Sequence, residues 1–201
     1  MLKIVTVPNN ILSSPTKPVT KIDDKIKTLL IDMEKILLAQ NDPKGVGLSA
    51  NQVGVNLSIF IIKPSEKAKT KVFINPKIIK KTGVEGGGIP TARSRGVLSK
   101  RAPAGGNPRQ DPSRKKKPVK LEGCLSIPRI WGPIKRAKKI LLEYQDLTPG
   151  VRKKWFQGFE ATIIQHEIDH LQGVVFTQRS LEQNQPVFKE EGDELVKVDL
   201  S

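Results

Sequence analysis

The chain's two histidines, His166 and His170, sit four residues apart in QHEIDH (165–170), within a stretch that reads as helix from about Gly158 to Gln172. Residues four apart on a helix share a face, one turn from each other. Phe159, Ile163, His166 and His170 fall on one stripe, apolar apart from the imidazoles, so that stripe faces inward. A fold for this chain therefore has to enclose a helix whose buried side carries both histidines. Imidazoles at this spacing can converge on a single metal ion, as in H-E-x-x-H metal hydrolases. Glu167, between them, is placed to reach a water on such an ion rather than the ion itself. Gly173 follows as a plausible helix C-cap.

A catalytic metal keeps three protein ligands and one open position, so a third ligand must come from elsewhere. Cys124 is the candidate: it is the chain's one cysteine, which excludes an internal disulfide. It lies in EGCLSIP, where the small Gly123 would let the backbone crowd against a ligand. Cys124 read alone would be a small buried hydrophobe. Beside two histidines at ligand spacing, the metal reading prevails.

Along the rest of the chain, Asp23 to Gln40 places Ile26, Leu29, Leu30, Met33, Ile36 and Leu37 at helical spacing, and Asn41-Asp42-Pro43 ends that helix. LKIVTV (2–7) reads as a strand or extended arm closed by Pro8, and residues 57–62 as a buried strand. KVFINPKIIKK (71–81) is a strand bent at Pro76, VKLEGCLSIP is β-like, and residues 138–146 and ELVKV near the end are further strands. With 201 residues and 37% hydrophobic content the chain can bury one domain's core. It has no apolar run of membrane-spanning length, and MLKIVTVPNN lacks the layout of a signal peptide, so the expected location is cytoplasmic.

The formal charge is +15, which favours polyanions such as RNA or a ribosome as transient partners. The few aromatics form no base-stacking ladder, which argues against a module that reads a nucleic-acid sequence. Residues 84–118 carry nine Lys and Arg against two acids, a net +7, so the remainder of the chain holds +8. That segment has six glycines and five prolines without periodicity, so it should be disordered or loosely held.

GVGLSANQ (45–52), EGCLS (122–126) and QHEIDH (165–170), in that order, resemble the three signature motifs of peptide deformylases. VTVPNNILSSPTKPV, FINPKII and EYQDLTPG extend the resemblance over about residues 1–83 and 119–180. It implies an α+β single domain in which antiparallel β-sheets surround a C-terminal helix carrying the HExxH motif, with one N-terminal helix. It also implies removal of the formyl group from N-formyl-Met nascent peptides, releasing formate. Cys124, His166 and His170 would hold one divalent metal ion, typically Fe²⁺, with Ni²⁺, Co²⁺ or Zn²⁺ able to replace it.

The resemblance gives Glu167 the proton transfers, and gives Gln52 and the backbone N–H of Leu125 the developing oxyanion. Gly45 and Gly47 would let the loop lie along the peptide like an added strand, and Val46, Phe159 and Ile163 would receive the methionine side chain. Ser49 and Asn51 depart from the family's usual small or stiff residues and could retune Gln52. Asp169 would orient a ligand histidine or cap a helix, and Arg136 would make a structural pair with Glu122. Residues 84–118 would be an insertion at the tip of a hairpin joining FINP to EGCLS. Two rivals stand beside this reading: an HExxH zinc peptidase, and a ribosome- or RNA-associated protein with an inactive metal site.

Overall fold

The computed structural model describes residues 2–84 and 120–198, so nearly all of the segment 84–118 lies outside the described residues. Helix α1 (Asp24–Leu38) starts where the Asp23 carboxylate accepts the Ile26 backbone N–H, and it buries Ile26, Leu30, Met33 and Leu37, the predicted stripe. A short strand β1 (Gly47–Ser49) leads into a 3-10 turn (Ala50–Val53) and then into β2 (Ile59–Ile62). All four β2 residues are buried because the strand is covered on both faces. Ile59 and Ile61 join the cluster around α1, while Phe60 and Ile62 join a second cluster on the opposite side. Double coverage makes a strand an unbroken apolar run instead of an alternating one. Strand β3 (Lys71–Thr82) shifts register between Ile74 and Lys77, the bend expected at Pro76.

Beyond residue 119 come β4 (Glu122–Cys124), β5 (Ile127–Gly132), β6 (Lys139–Gln145) and β7 (Val151–Gln157). Helix α2 (Gly158–Leu171), helix α3 (Phe176–Glu182) and strands β8 (Val187–Glu191) and β9 (Glu194–Val198) follow. The strands form two antiparallel sheets, ordered β1-β2-β3-β6-β7 and β4-β5-β8-β9. Ala161, Ile164 and Ile168 of α2 pack on Phe60, Phe73, Ile140 and Phe156 of the first sheet. Cys124 and Ile127 of the second sheet cluster with Phe176 of α3. The expected α+β domain with a sheet-wrapped C-terminal helix is the observed one, and Gly173 leaves α2 with φ 74°, the left-handed exit glycine allows.

LKIVTV, read as a strand or an extended arm, is the arm: Val5 N–H donates to the Gln52 carbonyl (2.8 Å) and Val7 N–H to that of Ser126 (3.1 Å), both in turns without a strand to extend. One expectation needs correction: the strands either side of residues 84–118 do not form a hairpin. β3 pairs with β2 and β6, whereas β4 pairs with β5 in the other sheet, so that connection crosses between sheets.

Candidate active site

Helix α2 brings His166 and His170 to one side, ring centres 4.9 Å apart. The end of β4 delivers Cys124, whose Sγ lies 3.1 Å from His170 Nε2. One ligand atom from each of Cys124, His166 and His170 lies within 4.8 Å of the others, a group able to hold a metal ion. One thiolate and two imidazoles suit Fe²⁺, Ni²⁺, Co²⁺ or Zn²⁺. Burial would raise the Cys124 thiol, but the two imidazoles outweigh it and hold its pKa well below the usual range. Burial likewise opposes a charged His166, yet Cys124 and Glu122 push its pKa well above the usual range. The two shifts are reciprocal: the imidazoles favour a Cys124 thiolate, and the thiolate with Glu122 favours positive charge at His166. His170 Nδ1 and Glu167 Oε2 are buried without a hydrogen-bond partner among the described residues, in keeping with a site built to meet a metal, water or substrate.

Cys124, His166 and Glu167 open onto a cavity of about 480 Å³ that Gly45, Val46, Gly47, Gln52, Leu125, Phe159 and Ile163 also line. His170 stands behind Cys124. The predicted residues are thus brought together, with Phe159 differing from expectation: it is half exposed, at the cavity mouth in the first turn of α2. Burial pushes the Glu167 carboxyl up to about 7, although both imidazoles favour its charged form. Gly47 is where the loop passes closest to this carboxylate, and a Cβ there would collide with Glu167 Oε1 and come 2.8 Å from Ile163.

Ser49 and Asn51, the departures in GLSANQ, each have a partner. Gln52 Oε1 accepts from Ser49 N–H (2.9 Å), and the one Ser49 hydroxyl proton is shared between Gln52 Oε1 (3.0 Å) and Asn51 Oδ1 (2.9 Å). The amide Nε2 thereby faces Ser126 Oγ at 3.1 Å and Cys124 Sγ at 3.5 Å. Asn51 Nδ2 donates to the His170 carbonyl at 2.6 Å, pinning the turn to the end of α2.

Sequence reasoning missed what holds His166. Glu122 Oε2 lies 3.0 Å from His166 Nδ1, and Arg136 binds the same carboxylate through Nε and Nη2, both at 2.8 Å. Burial opposes the Glu122 charge, but Arg136 prevails and, with His166, lowers its pKa to about 2. The Arg136–Glu122 pair is the expected one. Asp169 is a correction: its carboxylate touches no histidine and caps no helix, but is shared between Arg136 and Arg179. Gly123 also differs, since what crowds it is the Trp131 ring, 2.7 Å from where a Cβ would lie.

A family model described as polypeptide deformylase matches residues 1–186. A peptide deformylase of Dictyoglomus turgidum is 33% identical over 184 residues, 92% of this chain and 95% of that protein. Peptide deformylase 1 of Bacillus cereus is 32% identical over 179 residues, 89% and 92% of the two chains. Among solved structures, peptide deformylase from Thermotoga maritima matches with a TM-score of 0.65 at 27% identity, over 89% of this chain and 97% of that one. The Synechococcus elongatus peptide deformylase in complex with actinonin matches with a TM-score of 0.68 at 28% identity, over 89% and 79%.

Proposed function

Because the chain belongs to the polypeptide deformylase family, we infer that it is a metal-dependent hydrolase that cleaves the formyl C–N bond of N-formyl-methionyl peptides. The observation that carries this is the meeting, in one cavity, of a three-ligand cluster, a buried carboxylate with an unpartnered oxygen and an oriented amide donor. Cys124, His166 and His170 would hold a divalent metal, Fe²⁺ in our reading with Ni²⁺, Co²⁺ or Zn²⁺ as substitutes, which when bound would supply the Lewis acidity to polarise the formyl carbonyl and activate water near neutral pH.

Glu167 takes a proton from water as its oxygen bonds to the formyl carbon. When the C–N bond breaks, the same carboxyl delivers that proton to the amine nitrogen, and formate departs. Gln52 Nε2 and the Leu125 backbone N–H donate to the oxygen on which negative charge develops. Among the described residues β1 is an edge strand, paired only with β2, so its other side beside Gly45 and Gly47 can take the peptide backbone as an added strand. Val46, Phe159 and Ile163 form the apolar wall for the methionine side chain.

Two features set the rivals aside. A purely structural metal site needs neither the Glu167 base nor the Gln52 donor, and a peptidase of the HExxH kind takes its third ligand from His or Glu and not from a cysteine. No helix among the described residues is long and apolar enough to cross a membrane. We place the protein in the cytoplasm, in transient contact with the ribosome that supplies its substrate.

The test uses anaerobically purified protein, with bound metal and formate release measured on a short formyl-methionyl peptide. Wild type should release formate without cutting internal peptide bonds. Glu167→Ala should retain its metal and lose at least about a hundredfold in kcat, the usual contribution of a general acid–base. Near wild-type turnover by that variant would falsify the assignment of the base.

A further inference from the structure

The three strands β3, β6 and β7 carry eight cations, Lys71, Lys77, Lys80, Lys81, Lys139, Arg152, Lys153 and Lys154, against one acid, Glu143. That net +7 compares with +8 for the whole chain outside 84–118, which is +15 less the +7 of that segment. Lys71 pairs with Glu160 and Arg152 with Asp146, acids just outside these strands, which leaves the basic excess of this end of the five-stranded sheet on the remaining lysines.

The ladder register sorts these side chains by face, because directly opposed residues of an antiparallel pair point the same way. Lys81, Ile140 and Phe156 form a row whose Ile140 and Phe156 are buried against α2. The alternate rows point the other way: Lys77–Glu143–Lys153, Lys80–Leu141–Trp155 and Thr82–Lys139–Gln157. On this outer face α1 covers Ile59 and Ile61 of β2, but no described element covers the nine-residue grid. Glu143 is neutralised by Lys153 at 2.9 Å. Trp155 is 39% exposed within the grid, with the Lys139 ammonium 4.7 Å from its ring centre.

Protection of a sheet edge explains lysines on β7, the edge strand, but not Lys77, Lys80 and Lys139, which lie on the interior strands β3 and β6. We propose that this outer face of β3, β6 and β7 docks on single-stranded RNA, its lysines meeting phosphates and Trp155 taking one stacked base. Lysines spread across one sheet face around one accessible aromatic ring are complementary to a phosphate backbone with splayed bases. One ring allows docking without reading a sequence. A membrane surface fits less well, since the apolar members Leu141 and Trp155 lie inside the lysine grid and not on a projecting loop. The cavity lies on the α2 side of the sheet, so a docked molecule keeps it open to peptide.

The test compares full-length wild type, the variant Lys77→Gln/Lys80→Gln/Lys139→Gln/Lys153→Gln, and Trp155→Ala. Affinity for a labelled single-stranded RNA is measured across a salt series, with formate release as the control for an intact fold. The lysine variant should lower the slope of log affinity against log salt by about 3, the share of four phosphate contacts. Trp155→Ala should weaken binding roughly tenfold, the loss of one stacked base. Both should keep wild-type formate release on a short peptide. Affinity and slope equal to wild type in the lysine variant overturn the proposal. So do a wild type that binds anionic phospholipid vesicles but not RNA, and variants that aggregate while keeping RNA affinity, the mark of edge protection.

Discussion

In the proposed reaction Gln52 has to present nitrogen, not oxygen, to the formyl group, and Ser49 fixes that choice at Oε1 through its backbone N–H, helped by a hydroxyl proton shared with Asn51 Oδ1. Ser49→Ala removes the hydroxyl and leaves the backbone donor, so kcat should fall about three- to tenfold, the worth of roughly one hydrogen bond, with KM little changed. An unchanged kcat would show that the backbone N–H alone orients the amide. Glu122 gives a pH prediction. Its carboxyl titrates near 2 in the folded chain against an ordinary 4.5, so its stabilising contribution is complete above pH 4.5 and disappears as pH falls toward 2. Urea unfolding midpoints of wild type should drop more steeply across that window than those of Glu122→Gln, and parallel curves would contradict the shift. Cys124, His166, His170 and Glu167 were legible because thiol and imidazole are so scarce here. Ser49 was visible as a departure from the family pattern and Glu122 as a partner for Arg136, but the Glu122–His166 contact was hidden because a glutamate is an ordinary residue type. One available signal was that Glu122 stands two before Cys124, on the same side of a strand.

At the scale of elements, α1 and α2 announced themselves by periodicity, whereas β7, β8 and α3 did not. β7 has one buried residue, Phe156, because its outer face and free edge are uncovered, so VRKKWFQ shows little of the alternation a half-buried strand displays. β8 buries the consecutive Val187 and Phe188, which also breaks the alternation. In α3 only Phe176 and Ser180 are buried, too few for a helical stripe to stand out. Where signals did exist they were end signals, and the Asp23 cap is the clearest. Asp23→Ala exposes the Ile26 N–H at the start of α1, and should cost about 1 kcal/mol. For a chain of this size that is a fall of ~2–4 °C in Tm by calorimetry. The cavity lies away from this cap, so formate release at 25 °C should be unaffected, and a loss of activity there would mean that α1 communicates with the loop bearing Gly45.

The whole molecule builds its site from two sheets and the helix between them. Gln52 comes from the turn after β1, Cys124 from β4 in the other sheet, and the histidines from α2. Total charge was legible in the sequence, but its concentration on β3, β6 and β7 was not, because ladder register decides which lysines share a face. The crossing of residues 84–118 from one sheet to the other was equally hidden, since the partner of β3 is β6, more than fifty residues further along. This crossing changes what removal of the segment tests: it links the sheet bearing Gln52 to the strand bearing Cys124. Replacing residues 85–118 with a short Gly-Ser linker should preserve bound metal and leave kcat on a short peptide within about twofold. The reason is that each doubling of loop length costs only ~0.6 kcal/mol, while the sheets are held by packed clusters, one joining α2 to the first sheet and one joining α3 to the second. Metal content measured alongside formate release separates the outcomes, because loss of metal with the fold intact by circular dichroism would mean that this segment sets the distance between Cys124 and the histidines.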